Sequence, residues 1–207
     1  MWTIREYLYK FQEILFPTKC FSCEKNDEII CDSCLQKCRK NVDFLGLYTV
    51  SVYSFKDPLI KKIVHALKYY RRKDLATPLA KEMSKELGSY IGTNYILVPI
   101  PMYRLRKYIR GYNQAEILAE NISKLISIPA NNNLLKRIKL TKRQVEVNNR
   151  ALRINNPKNS FDVTKSVKDM NIIIVDDVTT TGATINEARR ILLKEGARDV
   201  RAITIAH

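Results

Sequence analysis

No apolar run in this 207-residue chain approaches the roughly 18 to 20 residues of a membrane-crossing helix, so no span is expected. The opening stretch WTIREYLYKFQEILFP is broken by Arg5, Glu6, Lys10 and Glu13, which leaves no hydrophobic region for a secretory signal. The pattern G-x-x-x-x-G-K-[ST] is missing, and so is G-x-G-x-x-G, so neither a P-loop NTPase nor a dinucleotide fold is supported. Histidines number two. His65 lies among Val64, Ala66 and Leu67 as a packed or surface residue, and His207 ends the chain, so neither reads as a catalytic base. Acids are scarce: 21 Asp and Glu stand against 36 Lys and Arg, a net charge of +15 at pH 7. That imbalance points to an anionic partner, whether nucleic acid, a phosphorylated metabolite or a membrane surface. There is no internal repeat and no low-complexity linker. The hydrophobic share of 45% suits a globular protein, and without a signal the expected compartment is the cytoplasm.

Five cysteines in a reducing compartment call for something other than disulfides. They cluster as Cys20-x2-Cys23, Cys31-x2-Cys34 and Cys38. Two C-x2-C knuckles suit a structural, four-thiolate Zn2+ site formed by Cys20, Cys23, Cys31 and Cys34. Cys38 is left over, as a substitute ligand or a spectator. Such a knob is too small for a core of its own. Ahead of it, Ile4, Leu8, Phe11 and Leu15 share one face of a helix that Pro17 stops.

The remainder alternates strands and helices. Strands are expected at 48–55, 95–100, 134–138, 172–175 and 200–206, and helices from Pro58, at 75–87, from Asn113 to Ile126 and at 184–194, with Gly196 as a C-cap. Arg104 to Gly111 reads as a basic loop, and 139–160 as a long loop of the kind that serves as a lid. Continuous apolar strands between amphipathic helices mean an α/β fold with a mostly parallel sheet covered on both faces. Two units are expected: 1–45, the helix and zinc module, and 46–207, the α/β domain.

Chemistry concentrates in Ile172-Ile-Ile-Val-Asp-Asp-Val-Thr-Thr-Thr-Gly-Ala-Thr184. A buried strand delivers two acids at its carboxyl end, where open α/β sheets bind ligands. The following turn and helix N-terminus offer N–H groups and a favourable dipole to an anion. Asp176 and Asp177 suit two ribose hydroxyls or a hydrated Mg2+, while the turn suits phosphate. Together they describe a ribose 5-phosphate. Separately, Tyr69, Tyr70, Tyr103, Tyr108 and Tyr112 are interleaved with basic residues, a composition suited to single-stranded DNA.

The strand-loop motif resembles the signature of type I phosphoribosyltransferases. Other elements stand in order along the chain: Phe16-Pro17, the two C-x2-C pairs, Leu67-Lys68-Tyr69, Val98-Pro-Ile-Pro101, Arg104 and Arg106, Arg110-Gly-Tyr-Asn-Gln-Ala-Glu116, Thr141, Gln144, Arg150 or Arg153, Asn155 and Phe161. In these residues nearly the whole chain resembles the ComF family, competence-associated proteins with a phosphoribosyltransferase-like domain. The resemblance implies a type I phosphoribosyltransferase-like fold and a ligand, 5-phosphoribosyl-1-pyrophosphate (PRPP), bound with Mg2+. Asp176 and Asp177 would hold the ribose hydroxyls, and Thr180, Thr181, Gly182, Ala183 and Thr184 the 5-phosphate. Arg104, Arg106 and Arg110 would meet the pyrophosphate. It further implies a role in DNA uptake during natural transformation, with single-stranded DNA and competence-machinery proteins as partners. The alternatives are an active phosphoribosyltransferase on an unknown acceptor, or a zinc-stabilised adaptor whose motif is a relic. A 6-oxopurine acceptor is disfavoured, because Thr180 stands where members acting on those bases carry a carboxylate. The zinc segment is a candidate for the acceptor-binding hood.

Overall fold

The structure, a computed structural model, describes residues 18–41, 48–88, 92, 94–138 and 160–207. The N-terminal helix expected before Pro17 and the lid expected over 139–160 lie outside the described residues, apart from Ser160. Among the described residues, no helix is long and apolar enough to cross a membrane.

A four-stranded parallel sheet carries the fold, in the order β1 (Thr49–Tyr53), β6 (Asp199–Ala206), β5 (Asn171–Val178), β2 (Ile96–Pro99). Period-two alternation sends successive side chains of each strand to opposite faces. Ile173 and Val175 of β5 and Ile203 and Ile205 of β6 therefore join one core, and Ile172, Ile174, Val200 and Ala202 the other. Both faces need cover, which explains why these strands read as unbroken apolar runs.

The first face is covered by α2 (Pro58–Tyr69), α3 (Ala76–Gly88) and α5 (Gln114–Ile126). α2 starts sharply: Pro58 needs no N–H partner, and the Asp57 carboxylate accepts from the amides of Leu59 and Ile60 at 2.9 and 3.1 Å. The second face is covered by α6 (Ala183–Lys194) and by a small antiparallel pair, β3 (Leu135–Arg137) and β4 (Phe161–Val163). β4 has no counterpart among the expected strands. Three residues carry too little periodicity to announce themselves, and pairing with β3 is what makes them a strand.

Arg104–Arg110 is a helix, α4, not the basic loop expected. Arg, Leu and Lys favour helix, and Gly111 at φ 83° ends it in the left-handed region. None of its residues is buried; Leu105, Tyr108 and Ile109 fall at helical spacing but stay exposed among four basic residues, which is why the stretch reads as a basic loop.

The cysteine segment, with its short helix α1 (Asp32–Gln36), contributes Cys20, Ile30, Cys31, Cys34, Leu35 and Cys38 to the same core as α2 and α3. Arg39 to Asn41 lie antiparallel to the outer edge of β1, with the Ser54 amide donating to the Arg39 carbonyl at 2.9 Å. Glu82, buried on α3, accepts from Lys40 and from the Tyr53 hydroxyl, both at 3.1 Å. The module is thus packed on the α/β domain rather than set apart from it.

Candidate active site

A cavity of about 480 Å³ opens at the carboxyl end of the sheet. Asp176 and Asp177, at the end of β5, line it together with Thr180 of the loop that follows and Thr184 in the first turn of α6. Strand alternation turns the two carboxylates to different sides. Asp177 follows Ile173 and Val175 toward the α2 face, where Lys68 Nζ meets its Oδ1 at 2.9 Å. Asp176 follows Ile172 and Ile174 to the other side of the strand. Burial, and secondarily the Asp177 carboxylate, push the Asp176 carboxyl up to about 7, although the Asp177 amide donates to it at 2.8 Å. Near neutral pH the Asp176 carboxyl is therefore partly protonated, and a cation arriving beside it would favour the carboxylate.

The loop between β5 and α6 is anchored where it leaves β5. The Thr179 amide donates to the Ala206 carbonyl at 3.1 Å, and His207 Nε2 lies 2.9 Å from the Thr180 carbonyl oxygen. Gly182 caps α6 at φ 71°, a backbone region open to glycine without strain. A Cβ there would meet only the Asn186 side chain, at an ordinary contact distance of 3.4 Å, so the backbone angle is what favours glycine. The first-turn N–H groups of α6 lack intrahelical carbonyl partners and point toward the turn; the Ala183 amide donates weakly to Thr181 Oγ1 at 3.4 Å, a bond an anion could replace. Thr181, Gly182 and Ala183 supply this turn without lining the cavity through their side chains.

The opposite wall comes from Pro101, Met102 and Tyr103, which follow β2, and from Arg106 and Arg110 on α4. Of the three arginines expected at pyrophosphate, Arg106 and Arg110 reach this cavity. Arg104 instead lines a neighbouring cavity of about 780 Å³ on the other side of α4. Lys68, Tyr69 and Arg137 also line the site. Arg137, on β3, rests over the rings of Tyr103 and Phe161 at 5.1 and 5.2 Å. Sequence reasoning gave Lys68 and Arg137 no role. Each is one cation on an element whose placement beside β5 is a long-range matter.

Residues 110–114, Arg-Gly-Tyr-Asn-Gln, staple the site together. The Tyr112 hydroxyl donates to the Leu67 carbonyl, and Gln114 Nε2 reaches the same oxygen at 3.3 Å. These two bonds hold the C-terminal end of α2, and with it Lys68. Asn113 donates to the Ile100 carbonyl at 2.9 Å and caps α5 by accepting from the Ala115 amide at 3.1 Å. Arg110 donates to Gln114 Oε1 at 2.7 Å. Tyr112, Asn113 and Gln114 are all buried, so each lost partner would leave an unsatisfied polar group.

Comparison with known proteins agrees with this geometry. Residues 73–207 match the family model described as phosphoribosyl transferase domain. The DNA utilization protein YhgH of Salmonella typhi is 31% identical over 176 residues, covering 83% of this chain and 74% of that protein. Competence protein ComFC of Bacillus subtilis is 32% identical over 160 residues, covering 75% and 62%. Competence protein F of Haemophilus influenzae is 36% identical over 113 residues, covering 53% and 49%. This chain belongs to the ComF family. Its fold is that of the type I phosphoribosyltransferases. Among solved structures, the allosteric regulatory enzyme of purine biosynthesis is similar at 16% identity and a TM-score of 0.44, over 69% of this chain and 30% of that one.

This ComF-family chain also brings its four knuckle cysteines to one point. The sulfurs of Cys20, Cys23, Cys31 and Cys34 all lie within 4.8 Å of one another, with Cys20–Cys31 at 3.7 Å, Cys20–Cys34 at 3.9 Å and Cys23–Cys31 at 3.6 Å. A tetrahedron with Zn–S bonds of about 2.3 Å has edges of about 3.8 Å, so the spacing fits that ion. Local donors favour thiolate: a hydrogen bond to Ser33 and the Cys34 amide bring Cys31 down to about 6. At Cys34 a hydrogen bond from Ser22 pulls down, but the Cys31 sulfur, burial and the other two sulfurs together push it up to about 12. Four sulfurs this close resist being thiolates together without a cation. Cys38 stands outside the cluster, and its buried thiol donates to the Cys34 carbonyl at 3.4 Å. The module docks through Phe21, which lies 4.9 Å from Lys62 Nζ and 5.3 Å from the Arg72 guanidinium. None of its described residues lines the 480 Å³ cavity.

Proposed function

We propose that this chain binds PRPP with Mg2+ in the 480 Å³ cavity, binds single-stranded DNA on its basic surface, and acts in DNA uptake during natural transformation. The observation that carries the reading is the convergence of three chemistries on one cavity. Twin carboxylates at the end of β5 suit the ribose hydroxyls, the turn before α6 suits the 5-phosphate, and Arg106 and Arg110 suit the pyrophosphate. Lys68 and Arg137 add positive charge on either side. Magnesium would partly neutralise the pyrophosphate and draw the proton from Asp176. Zinc at Cys20, Cys23, Cys31 and Cys34 is structural in this reading, since four protein sulfurs leave it no open position. The names of the relatives, which speak of competence and DNA utilization, support the cellular role. The net charge of +15 supports the DNA partner, and competence-machinery proteins in the cytoplasm are further partners under this reading.

A second reading, transfer of the phosphoribosyl group to an acceptor with release of pyrophosphate, is favoured by the complete set of acids, phosphate turn and arginines. Catalysis would then rest on stabilising charge as the ribosyl cation parts from pyrophosphate. Thr180 at the cavity wall leaves a 6-oxopurine without its carboxylate partner. Calorimetry with PRPP in magnesium buffer tests the first reading: a saturable heat is expected, and its absence refutes PRPP as the ligand. Pyrophosphate release across a panel of acceptors decides between binding and turnover.

A further inference from the structure

A second, smaller cavity of about 290 Å³ lies between the end of α2 and α4, lined by Lys68, Tyr69, Arg71, Arg106, Ile109 and Arg110. Four of these, Lys68, Tyr69, Arg106 and Arg110, also line the larger cavity, so the two share a wall. Their chemistry differs. The larger holds Asp176 and Asp177, whereas among the described residues no carboxylate lines the smaller. Large apolar groups stand exposed around it: Tyr69, Tyr70 and Ile109 are 55%, 67% and 69% exposed. The His65 ring lies 4.7 Å from that of Tyr69 and 5.2 Å from that of Tyr70, making one aromatic cluster at the end of α2. The Arg110 guanidinium sits 5.2 Å from the Tyr69 ring centre.

Open aromatic faces beside guanidinium groups, on a wall lined by cations, match what a single strand presents. Its unpaired bases stack on rings while its phosphates follow the cations. A duplex hides its base faces and has less to gain. We infer that single-stranded DNA binds along this groove, and that the strand and PRPP contend for Arg106 and Arg110. The contention rests on the PRPP reading of the larger cavity. A pyrophosphate held by those arginines places several negative charges where a strand running past Arg71 would place its own, and like charges at such range repel. Each ligand must then weaken the other by the same factor.

The test uses the full chain and a fluorescent oligothymidylate, read by anisotropy. Saturating PRPP with Mg2+ should weaken oligonucleotide binding by about tenfold. Tyr70→Ala and Arg71→Ala alter residues outside the larger cavity. Each should weaken the oligonucleotide by about fivefold or more and leave the PRPP calorimetric affinity unchanged. Unchanged DNA affinity in both variants, or equal affinity for a duplex of the same length, overturns the groove. Equal DNA affinity with and without PRPP overturns the contention. Should the wild type give no heat with PRPP, the ligand reading fails and takes the contention with it, while Tyr70 and Arg71 still decide where the strand lies.

Discussion

Replacing Asp176 by asparagine should make the ligand-free protein more stable at pH 8 and, at the same time, deaf to PRPP. Burial and the adjoining Asp177 carboxylate raise the Asp176 carboxyl to about 7, against about 4 in an unfolded chain. A group whose folded value is raised binds its proton more tightly in the native state. Stability therefore falls as pH climbs from about 4, and the whole penalty is present above about 7. Moving a carboxyl that far carries at most about 4 kcal/mol. Asp176 is only half-buried, so water keeps part of its charge solvated and about 1 to 3 kcal/mol is the expected penalty. The amide that replaces the carboxylate has no charge to bury. In a chain of this size the gain corresponds to a Tm higher by about 3 to 10 °C at pH 8, shrinking toward nothing near pH 4. Thermal unfolding at several pH values reads it directly. Adding PRPP and Mg2+ at pH 8 should raise the Tm of the wild type and leave D176N unmoved. A variant less stable than wild type at pH 8, or a difference in Tm that ignores pH, would refute the account of Asp176.

Lys68→Ala removes the cation 2.9 Å from Asp177 and should weaken PRPP by about tenfold by calorimetry, with the onset of binding moved to higher pH because Lys68 no longer pulls the Asp176 carboxyl down. Tyr112→Phe leaves the Leu67 carbonyl with Gln114 alone; a loss of about 1 kcal/mol in chemical unfolding is expected, along with weaker PRPP binding because Lys68 follows Leu67. Metal analysis should find one zinc per chain in the wild type and in Cys38→Ser, and none in Cys20→Ser; a zinc-free wild type with reduced thiols would remove the tetrathiolate site. Chelation should lower Tm, since the module shares its core with α2 and α3.

Much of the site was legible because its parts are contiguous. Asp176, Asp177 and the turn through Thr184 form one strand-loop-helix unit whose geometry is local, and two C-x2-C pairs need little more than their spacing to meet at one point. The sheet could be anticipated because Ile172 to Val175 and Val200 to Ala206 are apolar on both faces. α4 could not, because its few apolar residues, Leu105, Tyr108 and Ile109, stay exposed among four basic ones and pack on no core, and β4 could not, because three residues become a strand only against β3. Arginine spacing likewise says nothing of which side of a helix faces the ligand. Arg106 and Arg110 stand four residues apart and share a face, while Arg104 looks elsewhere.

Local order along the chain determined the apolar strands and the helices between them, the carboxylate pair with its phosphate turn, and the thiolate cluster, since each is written in residues close in sequence, whereas the pairing of β1 with β6 and of β2 with β5 joins residues far apart in the chain. Tertiary structure alone decided that Lys68 meets Asp177, that Arg137 closes the far wall, and that Tyr112, Asn113 and Gln114 tie α2, β2 and α5 into one frame. It also decided which of the two acids meets that lysine. Strand pleating turns Asp177 to the α2 face and Asp176 away from it, and only the packed fold puts Lys68 on the first side rather than the second.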